Sequence, residues 1–183
     1  DNIFADALNR GVTFDVEAAY ASALRNGSVY SVNNRENSYS GRAHMDGMVF
    51  RGYVPQDGVT GGWGGEEFNF SWSMEGSGTD FAIASMAKYL RDEAELGSEA
   101  WQKYNDEYLY FTARATNYVH LFNESMGGWF RAKKSDGTWL QTDEQFDPTA
   151  QGYGYCEDNA YNYAFPPYDG QGLANLYGMA RDR

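Results

Sequence analysis

The 183-residue sequence has one cysteine, Cys156, so no disulfide framework and no zinc–cysteine cluster can form within it. Basic residues are scarce as well. Fourteen Lys and Arg stand against 26 Asp and Glu, and a formal charge of −12 leaves no footprint for nucleic acid or an anionic membrane surface. No apolar run reaches the ~18 residues that a membrane-spanning helix needs. Only two histidines occur, His44 and His120, and there is no His-Glu-x-x-His zinc helix. A Gly-x-Ser-x-Gly nucleophile elbow, a phosphate-binding glycine loop followed by Lys and an EF-hand loop are also missing. The opening Asp1-Asn2-Ile3-Phe4 is not a signal peptide; it reads as already helical, the start expected of a processed or truncated chain.

What is present is a foldable, aromatic-rich composition. Hydrophobic residues make up 42% and charged residues 22%, enough for a single domain with a real core. Aromatics reach 17%, with 15 Tyr, 11 Phe and 5 Trp. Tyr and Trp carry an apolar body and a polar tip, so this content fits either a Tyr-rich core or a surface that binds sugars. Three sequons, at Asn26, Asn69 and Asn123, lead us to expect a glycosylated, secreted protein.

Along the chain, residues 2–10 predict a helix that stops at Gly11. Thr13 or Asp15 then caps a second, carried by Val16, Ala19, Tyr20, Ala23 and Leu24 and ended by Asn26-Gly27. Residues 26–72 read as a long irregular loop or insertion, Gly-rich at 61–65, with room for a hairpin around Met48–Val54. A third helix is predicted over 79–95 on the stripe Ile83, Ala87, Leu90 and Ala94. The fourth runs from Ser98 for about six turns, with Trp101, Tyr104, Tyr108, Phe111, Ala115, Tyr118 and Phe122 at three- and four-residue steps. His120 near its end suits the helix dipole. Turn chemistry fills 127–156, and a last helical pair broken by Pro166-Pro167 runs from Asp158 to Met179. Helices of unequal length with long loops and few strands make an all-α toroid or helical array.

Carboxylates among aromatics are the chemistry that remains. Gly152–Tyr168 sets Glu157 and Asp158 among six aromatic rings. A carboxylic acid that protonates a leaving oxygen near neutral pH needs its pKa raised, and burial against rings does this, while ring faces stack on sugars. Glu157-Asp158 equally fits the acidic start of a helix. Phe68–Phe81, with Glu75 and Asp80, and Trp139–Asp147 are two further clusters of this kind.

Taken in order, these segments resemble the helical domain of glycoside hydrolase family 92, over nearly the whole chain. Ala5-Asp6-Ala7, Phe14-Asp15 and Ala18-Ala19-Tyr20 are similar to that family's early helix pair, and Gly52-Tyr53-Val54-Pro55 matches a short signature. Ser71–Glu75 and Asp80–Ala84 resemble its Ser-x-Thr-Leu-Glu and Asp-x-Ala-Ile-Ala segments. Arg114, Asn117-Tyr118, Phe130-Arg131, Asp136-Gly137-x-Trp139 and Phe146-Asp147-Pro148 keep its order. Tyr155-Cys156-Glu157-Asp158-Asn159-Ala160-Tyr161-Asn162-Tyr163 is similar to Tyr-Thr-Glu-Gly-Asn-Ala-Trp-Gln-Tyr, whose glutamate is the general acid.

The resemblance implies part of an (α/α)6 toroid, an interior piece of the catalytic domain of an inverting, calcium-dependent exo-α-mannosidase. Glu157 would be the acid. Trp139, Asp147, Asn159, Tyr161 and Tyr163 would line the pocket, with Glu75, Asp80 and Asp169 also facing substrate. Calcium would take its ligands outside the chain, and mannose-containing glycans and the rest of the parent protein would be the partners. The sequence departs from the pattern at Asp158 (Gly in the family), Tyr161 (Trp) and Tyr168 (His), and one residue is deleted between Tyr163 and Pro167. The Gly-Asn-Asp-Asp segment that carries the family's general base does not occur in it. These departures keep a rival open, a non-catalytic glycan-binding or structural module on the same fold. An unrelated helical toroid, such as a polysaccharide lyase, is the third possibility.

Overall fold

The computed structural model describes residues 1–29, 42, 44–57, 68–156, 158–164 and 166–181. Glu157, the glycine run at 61–65 and about half of the 26–72 loop lie outside them. The protein is all-α. Among the described residues six helices carry it: α1 (Asn2–Asn9), α2 (Val16–Ser28), α3 (Met45–Arg51), α4 (Asn69–Glu93), α5 (Glu99–Ala115) and α6 (Gly170–Arg181). The one sheet among the described residues is a two-residue ladder, β1 (Phe122–Asn123) antiparallel to β2 (Trp129–Phe130), with Phe122 opposite Phe130. None of the described helices is long and apolar enough to cross a membrane.

Local chemistry explains several helix ends. Asp15, not Thr13, caps α2, its carboxylate accepting the Ala18 N–H at 2.9 Å. Ser98 caps α5 by accepting the Trp101 N–H at 3.1 Å, which satisfies a donor that the first turn leaves open. The predicted stripe of α5 turns inward at Phe111 and Ala115. The α-helix stops at Ala115, however, and a 3-10 turn over Thr116–Leu121 finishes the run and buries Tyr118. His120 is exposed on that turn.

Four segments correct the sequence-based expectations. Helix α4 starts at Asn69, ten residues before the predicted 79. Its first turns are rich in Ser and Gly, poor helix formers in isolation. Their small size is what packing requires: a Cβ on Gly76 would sit 2.7 Å from the Met48 methyl. The hairpin expected at Met48–Val54 is instead α3, closed by Gly52 in the left-handed region at φ 76°. Gly27 does not end α2 but lies inside it, directly against Ile83 and Phe111. Residues 158–164 form turns, so of the predicted last helical pair only α6 is a helix.

Helix α4 is the spine. Along its C-terminal half Ala82, Ile83, Met86, Ala87 and Leu90 pack with Ala5, Tyr20, Ala23 and Phe111 from α1, α2 and α5. Its N-terminal half gives Phe70 and Met74 to a second core with Tyr118, Phe122, Phe130, Phe146 and Tyr155. Between the two sits Asp80, fully buried. Arg42 reaches it at 2.6 Å and Arg114 at 3.0 Å, and Arg114 also donates to the Gly27 carbonyl at 2.8 Å. Burial pushes the Asp80 carboxyl up, and the two guanidinium groups counter that.

Candidate active site

The second core holds a loop against α4, and the site lies along that seam. Residues 152–154 turn sharply, with φ of 92°, 56° and 86° at Gly152, Tyr153 and Gly154. Gly154 is required there twice over, by its left-handed backbone and because a Cβ would meet Gln56 and Phe70. Beyond the turn, Tyr155 packs on Phe70 at 4.4 Å and donates its hydroxyl to the Phe130 carbonyl at 2.6 Å. Tyr163 meets the same Phe70 ring edge-on at 5.2 Å.

Ser71 ties the loop to the helix. Its N–H donates to the Gly154 carbonyl at 3.1 Å. Its hydroxyl oxygen accepts the Cys156 N–H at 2.8 Å and the Tyr163 hydroxyl at 2.7 Å. Burial pushes the Tyr163 phenol up, which keeps it a neutral donor to Ser71.

A cavity of about 450 Å³ opens between helix and loop, lined by Phe68, Ser71, Trp72, Glu75, Cys156, Asp158 and Tyr163. A second, of about 580 Å³, shares Glu75, Asp158 and Tyr163 with it and runs on past Phe81 and Tyr168 toward α1. Those two rings stack at 5.3 Å and 26°. Two carboxylates on an aromatic wall are suited to a polar ligand with apolar faces.

Of the candidate substrate-binding residues, the structure brings Glu75 and Tyr163 into these cavities and leaves the others out of both. Asp80 is sealed in its arginine clamp, so it is a structural charge and not a substrate contact. Trp139 pairs with Lys133 in an isolated bridge, with the Lys133 ammonium 4.3 Å over its ring. Asp147 is exposed and closes a turn on Thr149, whose hydroxyl and N–H lower its pKa. Asn159 shapes the next turn, accepting the Tyr161 N–H at 3.1 Å. Tyr161 is 58% exposed and lies edge-on to Trp129. Asp169 accepts the Tyr118 hydroxyl at 2.8 Å and the Gly172 N–H at 2.9 Å, a cap for α6. These residues shape the loops and line neither cavity.

Glu157 itself lies outside the described residues, while Cys156 and Asp158 on either side of it both line the cleft. Ser71, Trp72 and Asp158 were missed as site residues. One signal could have found the first two: Ser71 and Glu75 are one helical turn apart and Trp72 adjoins that face. Among the described residues there is no group of three or more His, Cys, Asp or Glu that could hold a metal ion. The sequons fare unequally. Asn69 is fully buried and donates its amide to the Pro55 carbonyl at 2.7 Å, which rules it out as a glycan acceptor. Asn123 is largely buried, and Asn26 is half-buried with its amide on Asp1.

An all-α scaffold with a carboxylate-lined, aromatic cleft is a make-up found in carbohydrate-active enzymes. The sequence profile of the glycosyl hydrolase family 92 catalytic domain matches residues 1–182, and the chain belongs to that family. No curated protein matches it.

Proposed function

We propose that the chain is the acid-bearing segment of an inverting, calcium-assisted α-mannosidase, and that its helices form part of an (α/α)6 toroid. The observation that carries this reading is the cleft. Helix α4 and the 154–163 loop enclose a space with Trp72, Tyr163, Glu75 and Asp158 on its walls, and the family's acid position, 157, falls between two of its lining residues.

In this mechanism Glu157 protonates the glycosidic oxygen as the C–O bond breaks. A carboxylate outside these 183 residues draws a proton from water on the opposite face of the sugar. The two carboxyl groups of an inverting pair stand roughly 6.5–9.5 Å apart, which leaves room for that water. Trp72 and Tyr163 supply aromatic faces, and Glu75 and Asp158 accept hydrogen bonds from sugar hydroxyls. Calcium would help distort the mannose ring, held by ligands other than the described residues. Mannose-containing glycans are the substrates, and the protein is secreted, with Asn26 the best-placed glycan acceptor.

Glu157→Gln in the complete protein tests the assignment. Turnover of an unactivated mannobiose should fall by at least ~100-fold, the usual worth of a general acid; unchanged turnover would sink it. The rival, a glycan-binding module without activity, is motivated by Asp158, an added carboxylate on the cleft wall where the family has glycine. Binding of mannosides with no turnover, with or without a calcium chelator, would favour it.

A further inference from the structure

We infer that Ser71 is a positioning residue for the general acid, holding the loop that carries position 157 in register with α4. The inference rests on the reading of Glu157 as acid and adds to it a residue 86 positions away in the chain.

The argument is geometric. Three contacts converge on one serine: its N–H on the Gly154 carbonyl, and its Oγ accepting from both the Cys156 N–H and the Tyr163 hydroxyl. Gly154 and Cys156 precede position 157 and Tyr163 follows it, so the tether brackets the acid on both sides. Both acceptor sites of the hydroxyl are spent on the loop. Ser71 is only 5% exposed and sits on a long, packed helix, so the anchor is rigid. The ring contacts of Phe70 with Tyr155 and Tyr163 are apolar and set distance more than direction, and the Tyr155 hydroxyl bonds the Phe130 carbonyl, not α4. Removing the hydroxyl would leave the Cys156 N–H and the Tyr163 hydroxyl without their acceptor, and the loop would drift from its productive geometry. Small misplacements at a reacting centre cost rate more than binding. The titratable groups on the cleft wall are Glu75 from α4 and Cys156, Asp158 and Tyr163 from the loop.

The test uses leaving-group dependence in the complete protein. A poor leaving group such as a sugar alkoxide needs protonation, whereas a dinitrophenolate leaves without it. Ser71→Ala keeps a good helix former at that position, so α4 persists. The variant should lose about tenfold in kcat on mannobiose, equivalent to the misplacement of one catalytic contact. Its KM and its rate on dinitrophenyl α-mannoside should change little, and Ser71→Thr, which restores the hydroxyl, should recover most of the loss. Glu157→Gln is run alongside and should show the same pattern with a larger loss. Equal losses on both substrates for Ser71→Ala, or none on either, would overturn the positioning role if Glu157→Gln still discriminates between them. If Glu157→Gln does not discriminate, the acid assignment itself fails.

Discussion

The two halves of α4 serve different masters. Its C-terminal half is buried by helices, with Ala82, Ile83, Met86 and Ala87 meeting Tyr20, Ala23 and Phe111 in a core of mostly small and aliphatic groups. Its N-terminal half is buried by loops and turns, and that core is aromatic: Phe70, Tyr118, Phe122, Phe130, Phe146 and Tyr155. Helices satisfy their own backbone groups, so the first half needs little beyond apolar contact. Loops do not, and the second half is stitched with side-chain bonds. Asn69 reaches the Pro55 carbonyl, Ser73 accepts the Val54 N–H, Tyr155 reaches the Phe130 carbonyl, and the fully buried Arg131 grips the Gln141 carbonyl and Asp143. The cleft sits on the stitched half. Scaffold and site divide along a single helix, with the Asp80 clamp near its middle.

The division can be broken at its centre. Asp80→Ala leaves two buried guanidinium groups without their carboxylate, and should cost about 3–5 kcal/mol in urea unfolding. A loss under ~1 kcal/mol would mean that the clamp is not shielded from water. Phe111→Ala should cost a similar or slightly smaller amount, about 3–4 kcal/mol, because it opens a cavity in the helical core. It should leave the aromatic near-ultraviolet signature of the loop half closer to native than Phe130→Ala does. Tyr155→Phe should cost about 1 kcal/mol, the price of one buried hydrogen bond. Thermal melting would register this as a small shift without loss of helicity.

Acid should separate the halves without mutation. Asp143 is held low by hydrogen bonds from Arg131 and Ser125, Asp147 by Thr149, and Asp136 by Thr138. Carboxylates whose folded pKa is depressed contribute stability above their unfolded value, about 3.9, and lose it as pH falls through the folded value. All three belong to the loop half, against Asp92 in the helical half, which Lys88 and Arg91 hold low. Amide exchange followed from pH 5 down to pH 3 should therefore show residues 130–149 loosening before α4 and α5. Simultaneous loosening would blur the division. The smallest effect is Asp15→Ala, which removes the α2 cap for about 1 kcal/mol and should leave the cleft untouched.

Legibility followed the same divide. Helices α1, α2 and α5 could be read from periodicity and caps because their partners are other helices. The first ten residues of α4 could not, since Gly76 and Gly78 allow the close approach of Met48 and Tyr168, and Ser71 and Ser73 bond Cys156, Tyr163 and Val54, none of which shows as helix propensity. Helix α3 is seven residues long, too short to show a period. At the site, the ordered motif pointed to the 155–163 loop and to Glu75. It did not separate residues that face the cleft from those that build its walls, because Asp147, Asn159 and Asp169 are loop caps of the same polar type. Asp80 misled for a physical reason: a carboxylate in an arginine clamp and one in a pocket look alike in sequence. The helical spacing to Glu75 could place Ser71 on the cleft face, but its tie to the loop was invisible because its partners Cys156 and Tyr163 lie 85 and 92 residues away.

The central claim, an inverting mannosidase whose acid is Glu157, is tested most directly by proton NMR of mannobiose hydrolysis in the complete protein and its Glu157→Gln variant. The account predicts that the wild type releases β-mannose first and that the variant releases almost none over the same period. Release of α-mannose first, or a variant as fast as the wild type, would contradict it.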